Sequence, residues 1–151
     1  LGREAEPIMA SGKLIPDDLV VRVIEVRLDD PDARDGALLD GFPRTVPQAQ
    51  ALDAMLQRKG RAVDVVLALQ VSDRELRRRV KHRADVEGRA DDTMTAFAER
   101  LRVYRTETAP VLDHYRATAT RIVEVDGVGD IDAVTERIAK ALTLDGARAS
   151  V

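Results

Sequence analysis

The chain has 151 residues, the length of one ordinary domain, and carries 20 Arg and 4 Lys against 27 acidic residues, for a net charge of -3. Without cysteine it can build neither a disulfide framework nor a thiolate metal site, and no apolar run approaches the length of a membrane span. The mild acidity argues against a protein that coats polyanions, while 44% hydrophobic content is that of a folded domain.

Taken in chain order, helices alternate with short apolar runs, which predicts an α/β protein with a parallel sheet and helices on both faces. Leu1 to Ala10 reads as a helix already under way, ended by Ser11-Gly12. Asp17 caps a second helix through about Leu28, with Leu19, Val20, Val23 and Ile24 on its apolar stripe. Ala37-Leu38-Leu39 is too short for a helix and is expected to be a buried strand running into Asp40. Gly41-Phe42-Pro43 turns the chain, and Thr45 opens a helix with Leu52, Met55 and Leu56 inward and Gly60 beyond its end. Val63 to Val71 is the clearest strand, its β-branched content predicting burial on both faces. Ser72 with Glu75 forms a capping box for a helix through roughly His82. The polar stretch from Ala84 to Asp92 reads as a loop. Thr93 caps a helix through about Glu107, which Pro110 kinks or restarts towards Tyr115. Arg121 to Val125 is the third strand, and Asp130 caps a closing helix through Leu142 before a loose tail.

Three features carry chemistry. An Asp at the C-terminal end of an apolar strand, as at Leu38-Leu39-Asp40, sits where open α/β sheets bind ligands. There it can hold the water shell of a Mg²⁺ on phosphates, or simply make a turn. In Asp40-Gly41-Phe42-Pro43-Arg44-Thr45 the glycine permits close backbone approach and Arg44 stands at a helix N-terminus, which already attracts anions. The third feature is the basic stretch Arg74, Arg77, Arg78, Arg79, Lys81 and Arg83, followed by Arg89, Arg100, Arg102 and Arg105. Arg79 and Arg83 are i, i+4 neighbours on one helix face. Guanidiniums converging there with Arg89 and Arg100 would repel one another unless an anion lay between them. A solvated face paired with Asp73, Glu75, Asp91 and Glu99 accounts for Arg74, Arg77, Arg78, Arg102 and Arg105. The excess of Arg over Lys has two sources in this reading: a GC-rich coding bias, given 21 Ala, and bidentate phosphate clamping.

The run DGFPRT followed by Gln48 is similar to the signature of adenylate kinases, and the match continues along nearly the whole chain. The resemblance implies a P-loop nucleoside monophosphate kinase-like fold and transfer of a phosphoryl group from ATP to AMP, giving two ADP. Ser11 to Asp17 resembles the segment whose backbone lines the AMP adenine, which assigns Lys13, Leu14 and Ile15 to AMP. Gly41, Phe42 and Pro43 join them, Arg44 resembles the arginine gripping the AMP phosphate, and Gln48 the glutamine reading the adenine edge. A surface glutamine is the bland alternative for Gln48. The pattern R-x-x-x-R, loop, G-R-A-D-D-T, then R-L-x-x-Y resembles the family's lid and hinges. It carries over Arg79 and Arg83 as ATP-phosphate ligands, and Arg89 and Arg100 as arginines reaching the transferring phosphoryl group. Val125 to Gly129 resembles the turn whose backbone touches the ATP adenine, with Gly129 the matching position. Asp40 is implied as an outer-sphere Mg²⁺ holder.

The chain also departs from the family pattern. His82 stands where a glycine is usual; it and His114 are read as non-catalytic, having no Ser or Cys partner in the sequence. The short lid, 84–92, cannot hold the zinc of some long-lid relatives, so no zinc is expected. Residues 1–28 are read as the rest of the AMP-binding region with the next helix, 29–83 and 93–142 as core, and 143–151 as tail, all one structural domain. No G-x-x-x-x-G-K-[ST] loop is present; Gly12-Lys13 is followed by Leu14. The expected family segment is missing for roughly 40 residues, a little more than one strand–helix–strand unit. Its strand would lie between Ala37–Asp40 and Val63–Val71, so the 151 residues alone are not expected to be a self-sufficient catalyst. A cytoplasmic protein, monomeric when complete, with no nucleic-acid or membrane partner, completes the expectation. The alternatives are a catalytically dead nucleotide-binding relative, another nucleoside monophosphate kinase, or an Arg-rich nucleic-acid binder, the last opposed by a pI of 5.5 and only 3% aromatics.

Overall fold

The structure is a computed structural model, and it describes residues 17–87 and 94–146. The chain separates into two compact units, Leu1–Ala62 and Val63–Val151.

In the first unit, α1 (Asp17–Leu28) packs on α2 (Val46–Arg58). Their apolar stripes, Leu19 and Leu28 on α1 and Ala49, Leu52, Met55 and Leu56 on α2, form the core together with Ala33 and Phe42. A 3₁₀ turn at Pro31–Ala33 follows α1. Arg27 holds it by a two-pronged pair to Asp32 (2.8 and 2.7 Å), and Lys59 at the end of α2 reaches Asp29 at 2.6 Å. Thr45 caps α2, its hydroxyl accepting from the Gln48 N–H at 3.3 Å, and Pro47 occupies the first turn, where a missing N–H does no harm.

The expected buried strand at Ala37–Leu39 is not formed. These residues are irregular, and Leu38 is 90% exposed. An apolar run becomes a strand only when another edge supplies ladder partners, and the described residues supply none here.

The second unit contains a two-stranded parallel sheet, β1 (Val65–Gln70) and β2 (Arg121–Asp126), paired in register from Val65–Arg121 to Gln70–Asp126. Parallel pairing requires a long crossover. It is made by α3 (Asp73–Glu87), α4 (Met94–Val103), a π-helical segment (Tyr104–Thr108) and α5 (Ala109–Arg116). After β2 comes α6 (Ile131–Gly146), capped by the Asp130 carboxylate, which accepts from the Ala133 N–H at 2.8 Å. Helices α5 and α6 pack on β2, burying Val111, Tyr115, Val123 and Val125.

Two further expectations are corrected. β1 is shorter than Val63–Val71 and is not buried on both faces; Leu69 is half exposed, because the described sheet has only two strands. Helix α3 runs on to Glu87, so the first part of the predicted 84–92 loop is helical: Ala84, Asp85, Val86 and Glu87 contain no breaker, and Gly88 is the first. The Pro110 disturbance falls where expected and takes the form of the π segment. Proline offers no N–H to the carbonyl four residues back, and the Ala109 N–H instead reaches Tyr104 O, five residues back. The Thr106 hydroxyl donates to the Arg102 carbonyl at 3.1 Å.

Leu52→Ala should destabilise the chain by about 2–5 kcal/mol through lost contacts and a cavity. Leu38→Ala should change stability by less than about 0.5 kcal/mol. Urea denaturation of the two variants measures both, and a strand buried at 37–39 would make the second as damaging as the first.

Candidate active site

In the first unit the predicted AMP-side residues that are described, Gly41, Phe42, Pro43, Arg44 and Gln48, lie at the N-terminus of α2. Gly41 has φ 74°, a left-handed conformation that glycine adopts without strain. A Cβ added there would meet Arg44 Nη2 at 3.0 Å. The bare backbone lets Arg44 fold back, and its Nε donates to the Gly41 carbonyl at 2.7 Å. The Phe42–Pro43 peptide is cis and Phe42 is buried.

Gln48, in the first turn of α2, is the only buried polar or charged residue among those described, at 9% exposure, which excludes the bland surface reading. Its Oε1 accepts from the Arg44 N–H and its Nε2 donates to Asp17 Oδ1, each at 2.7 Å. The two bonds hold the carboxamide plane in one orientation. An amide has two donor hydrogens and two acceptor lone pairs, so one of each remains for a ligand. In the sequence Asp17 is a helix cap and the end of the Ser11–Asp17 segment, with no side-chain partner indicated; its grip on Gln48 joins the start of α1 to that of α2 across 31 positions. No local sequence signal marks such a contact.

In the second unit, Glu75 is the centre of a fork. Arg78 donates to it through Nε and Nη2 at 2.7 and 2.8 Å, and Arg79 through Nε at 2.9 Å. These bonds favour the carboxylate, those of Arg78 most, and lower the Glu75 pKa from 4.5 to about 2. Arg78 and Arg79 were expected to differ in role, yet both lean on one carboxylate. Arg79 also donates from Nη2 to the Gly127 carbonyl at 2.7 Å, which ties α3 to the turn after β2. The structure therefore brings Arg79 to the segment containing Gly129. A small open cleft is lined by Arg78, Arg79 and His82. Arg83 is half-buried one turn beyond Arg79, and Arg100 is exposed on α4. Arg102 pairs with Glu99 at 2.7 Å, as the solvated-face reading expects, whereas Arg77 lies over the buried Phe97 ring at 5.3 Å, a contact that reading does not include.

The sequence missed Arg137. From α6 it donates to the carbonyls of Asp126 and Val128, and its Nη1 lies 3.1 Å from the Asp126 carboxylate. Gly129 has φ 128°, and a Cβ there would stand 2.8 Å from Arg137 Nη2.

Lys13, Leu14, Ile15 and Arg89 lie outside the described residues. Asp40 is exposed, and among the described residues no group of three or more His, Cys, Asp or Glu is placed to hold a metal. Such a lone carboxylate suits a cation that arrives on a ligand's phosphates and keeps several waters.

Acid titration tests the fork. Because the folded Glu75 pKa is depressed, its stabilisation is complete above about pH 4.5 and is lost as pH falls through about 2. A carboxyl chemical-shift titration should place the Glu75 midpoint near 2, and R78A/R79A should move it up towards 4.5.

Comparison with known proteins shows the family. The family model described as adenylate kinase matches residues 1–120. An adenylate kinase of Phenylobacterium zucineum is 46% identical over 143 residues, covering 95% of this chain and 75% of the relative. One of Stenotrophomonas maltophilia is 43% identical over 142 residues, with 94% and 75% covered. A third, of Parvibaculum lavamentivorans, is 45% identical over 153 residues, with 99% and 74% covered. The chain thus spans about three quarters of the length of these relatives and belongs to the adenylate kinase family.

Proposed function

We propose that the chain binds AMP at the N-terminus of α2 and ATP along α3 and the Asp126–Gly129 turn, and serves transfer of the ATP terminal phosphoryl group to AMP, giving two ADP. The observation that carries this reading is the joint held by Gly41, Arg44, Gln48 and Asp17. A helix N-terminus attracts a phosphate, a guanidinium beside it can fork two phosphate oxygens, and a buried carboxamide of fixed orientation can read a purine edge.

Each remaining residue has a part in the same scheme. Lys13, Leu14 and Ile15 line the AMP base with Phe42 and Pro43, while Arg44 holds the AMP phosphate. Arg79 and Arg83 hold ATP phosphates, and the backbone at Gly129 meets the ATP base. Arg89 and Arg100 reach the transferring group. Phosphoryl transfer asks mainly for alignment and for positive charge about the equatorial oxygens, and needs no nucleophilic Ser or Cys. Mg²⁺ arriving with ATP would add charge neutralisation on its phosphates, and Asp40 is the residue that would hold its water shell. No helix among the described residues is long and apolar enough to cross a membrane. A cytoplasmic, monomeric enzyme with no nucleic-acid partner is the setting we propose.

Steady-state kinetics of the natural full-length protein test the reading. Arg44→Ala should raise the KM for AMP about tenfold or more with little change for ATP. Arg100→Ala and Arg89→Ala should each lower kcat by roughly 10³-fold or more. Wild-type turnover with neither effect would overturn the assignment, and AMP binding without turnover would favour the catalytically dead relative.

A further inference from the structure

The turn after β2 is gripped from two helices. From α6, Arg137 donates to the carbonyls of Asp126 and Val128, and its Nε donates to the Ala133 carbonyl at 3.1 Å. From α3, Arg79 donates to the carbonyl between them, Gly127 O, at 2.7 Å. Three consecutive carbonyls thus accept from guanidiniums. The amides of the same turn are engaged too: Gly127 N–H donates to Gln70 O at 2.9 Å, and Val128 N–H to Asp126 Oδ1 at 3.0 Å. At Gly129 a side chain would compete with the tip of Arg137 for space. All of these groups lie in the second unit.

We propose that Arg137 is a positioning residue for ATP, setting the path of the backbone that meets the base without touching the nucleotide. The inference rests on the reading that this turn receives the ATP base. Its physical basis is preorganisation: a turn already held in its bound path loses less conformational freedom when the ligand arrives, so less binding energy is spent on ordering it. An arginine fork spans two carbonyls at once, which a lysine ammonium does less well. The effect is expected in ATP affinity and in preference for adenine over guanine, and not in AMP affinity.

Two measurements on the natural full-length protein separate this inference from the reading beneath it. An ATP titration of the wild type, followed at the backbone amides of Gly127, Val128 and Gly129, tests the reading alone; unshifted amides would overturn both. Kinetics of R137Q and R137K then test the inference. Support would be a KM for ATP raised about five- to tenfold in R137Q, with kcat and the KM for AMP within about twofold, a reduced preference for ATP over GTP, and partial recovery in R137K. A purely structural role would instead lower the active fraction, reducing apparent kcat and leaving both KM values in place. Shifted amides together with an unchanged KM for ATP in R137Q would sink the inference and leave the reading standing.

Discussion

The parallel pairing of β1 with β2 is the constraint on which the second unit depends. Their register runs unbroken from Val65–Arg121 to Gln70–Asp126, so both strands end at the same edge. Ligands of open α/β sheets bind outside such an edge. Helix α3 starts three residues after Gln70, and the Asp126–Gly129 turn leaves at the same level, its Gly127 N–H bonded to the Gln70 carbonyl. From that placement Arg79, nearly two turns into α3, reaches the turn. The same pairing forces the chain through α3, α4 and α5 before it can return, which gathers Arg79, Arg83 and Arg100 on one crossover.

The first unit is organised by a smaller device, the buried Gln48 amide. Burying a carboxamide without partners is unfavourable by roughly 1–3 kcal/mol, so a position like this persists only when its hydrogen bonds are supplied. Here the Arg44 backbone and the Asp17 carboxylate supply them. Asp17 thereby serves the entry to α2 as well as α1, and the arginine whose backbone is pinned is the one with its side chain folded over Gly41. The Arg44 side chain and the Gln48 carboxamide are thus both held in place at one turn of helix.

Local signals made much of this legible. Asp17 to Leu28, Thr45 before α2, Ser72 before α3 and Asp130 before α6 are capping patterns whose physics lies within four residues, and each marks an observed helix start to within a residue or two. DGFPRT with Gln48 carried the family resemblance for the same reason: its residues are neighbours in the chain. What failed to show in the sequence depends on distant partners. Ala37–Leu39 has the composition of a strand, yet composition cannot provide an edge to pair with. Asp17 to Gln48 and Arg137 to Asp126 are side chains whose targets are chosen by packing, and an arginine on a charged helix looks like any solvated one. Helix α3 runs past the point where the sequence suggests a loop, because polarity breaks no helix and the glycine comes only at Gly88.

The π segment at Tyr104–Thr108 has a geometric consequence for the helices it joins. In a regular α-helix each residue advances the side chain by about 100° around the axis, and a π bulge amounts to one inserted residue. Phe97 and Tyr115 are 18 positions apart, which in an unbroken helix would stack them on one side, five whole turns apart by the 3.6-residue repeat. The insertion rotates the later portion by about one residue's advance. Phe97 can then lie against α3, under the Arg77 guanidinium, while Val111 and Tyr115 turn to the sheet side where α5 meets β2. The bulge works as a fixed angular offset that lets one nearly continuous rod serve two different neighbours.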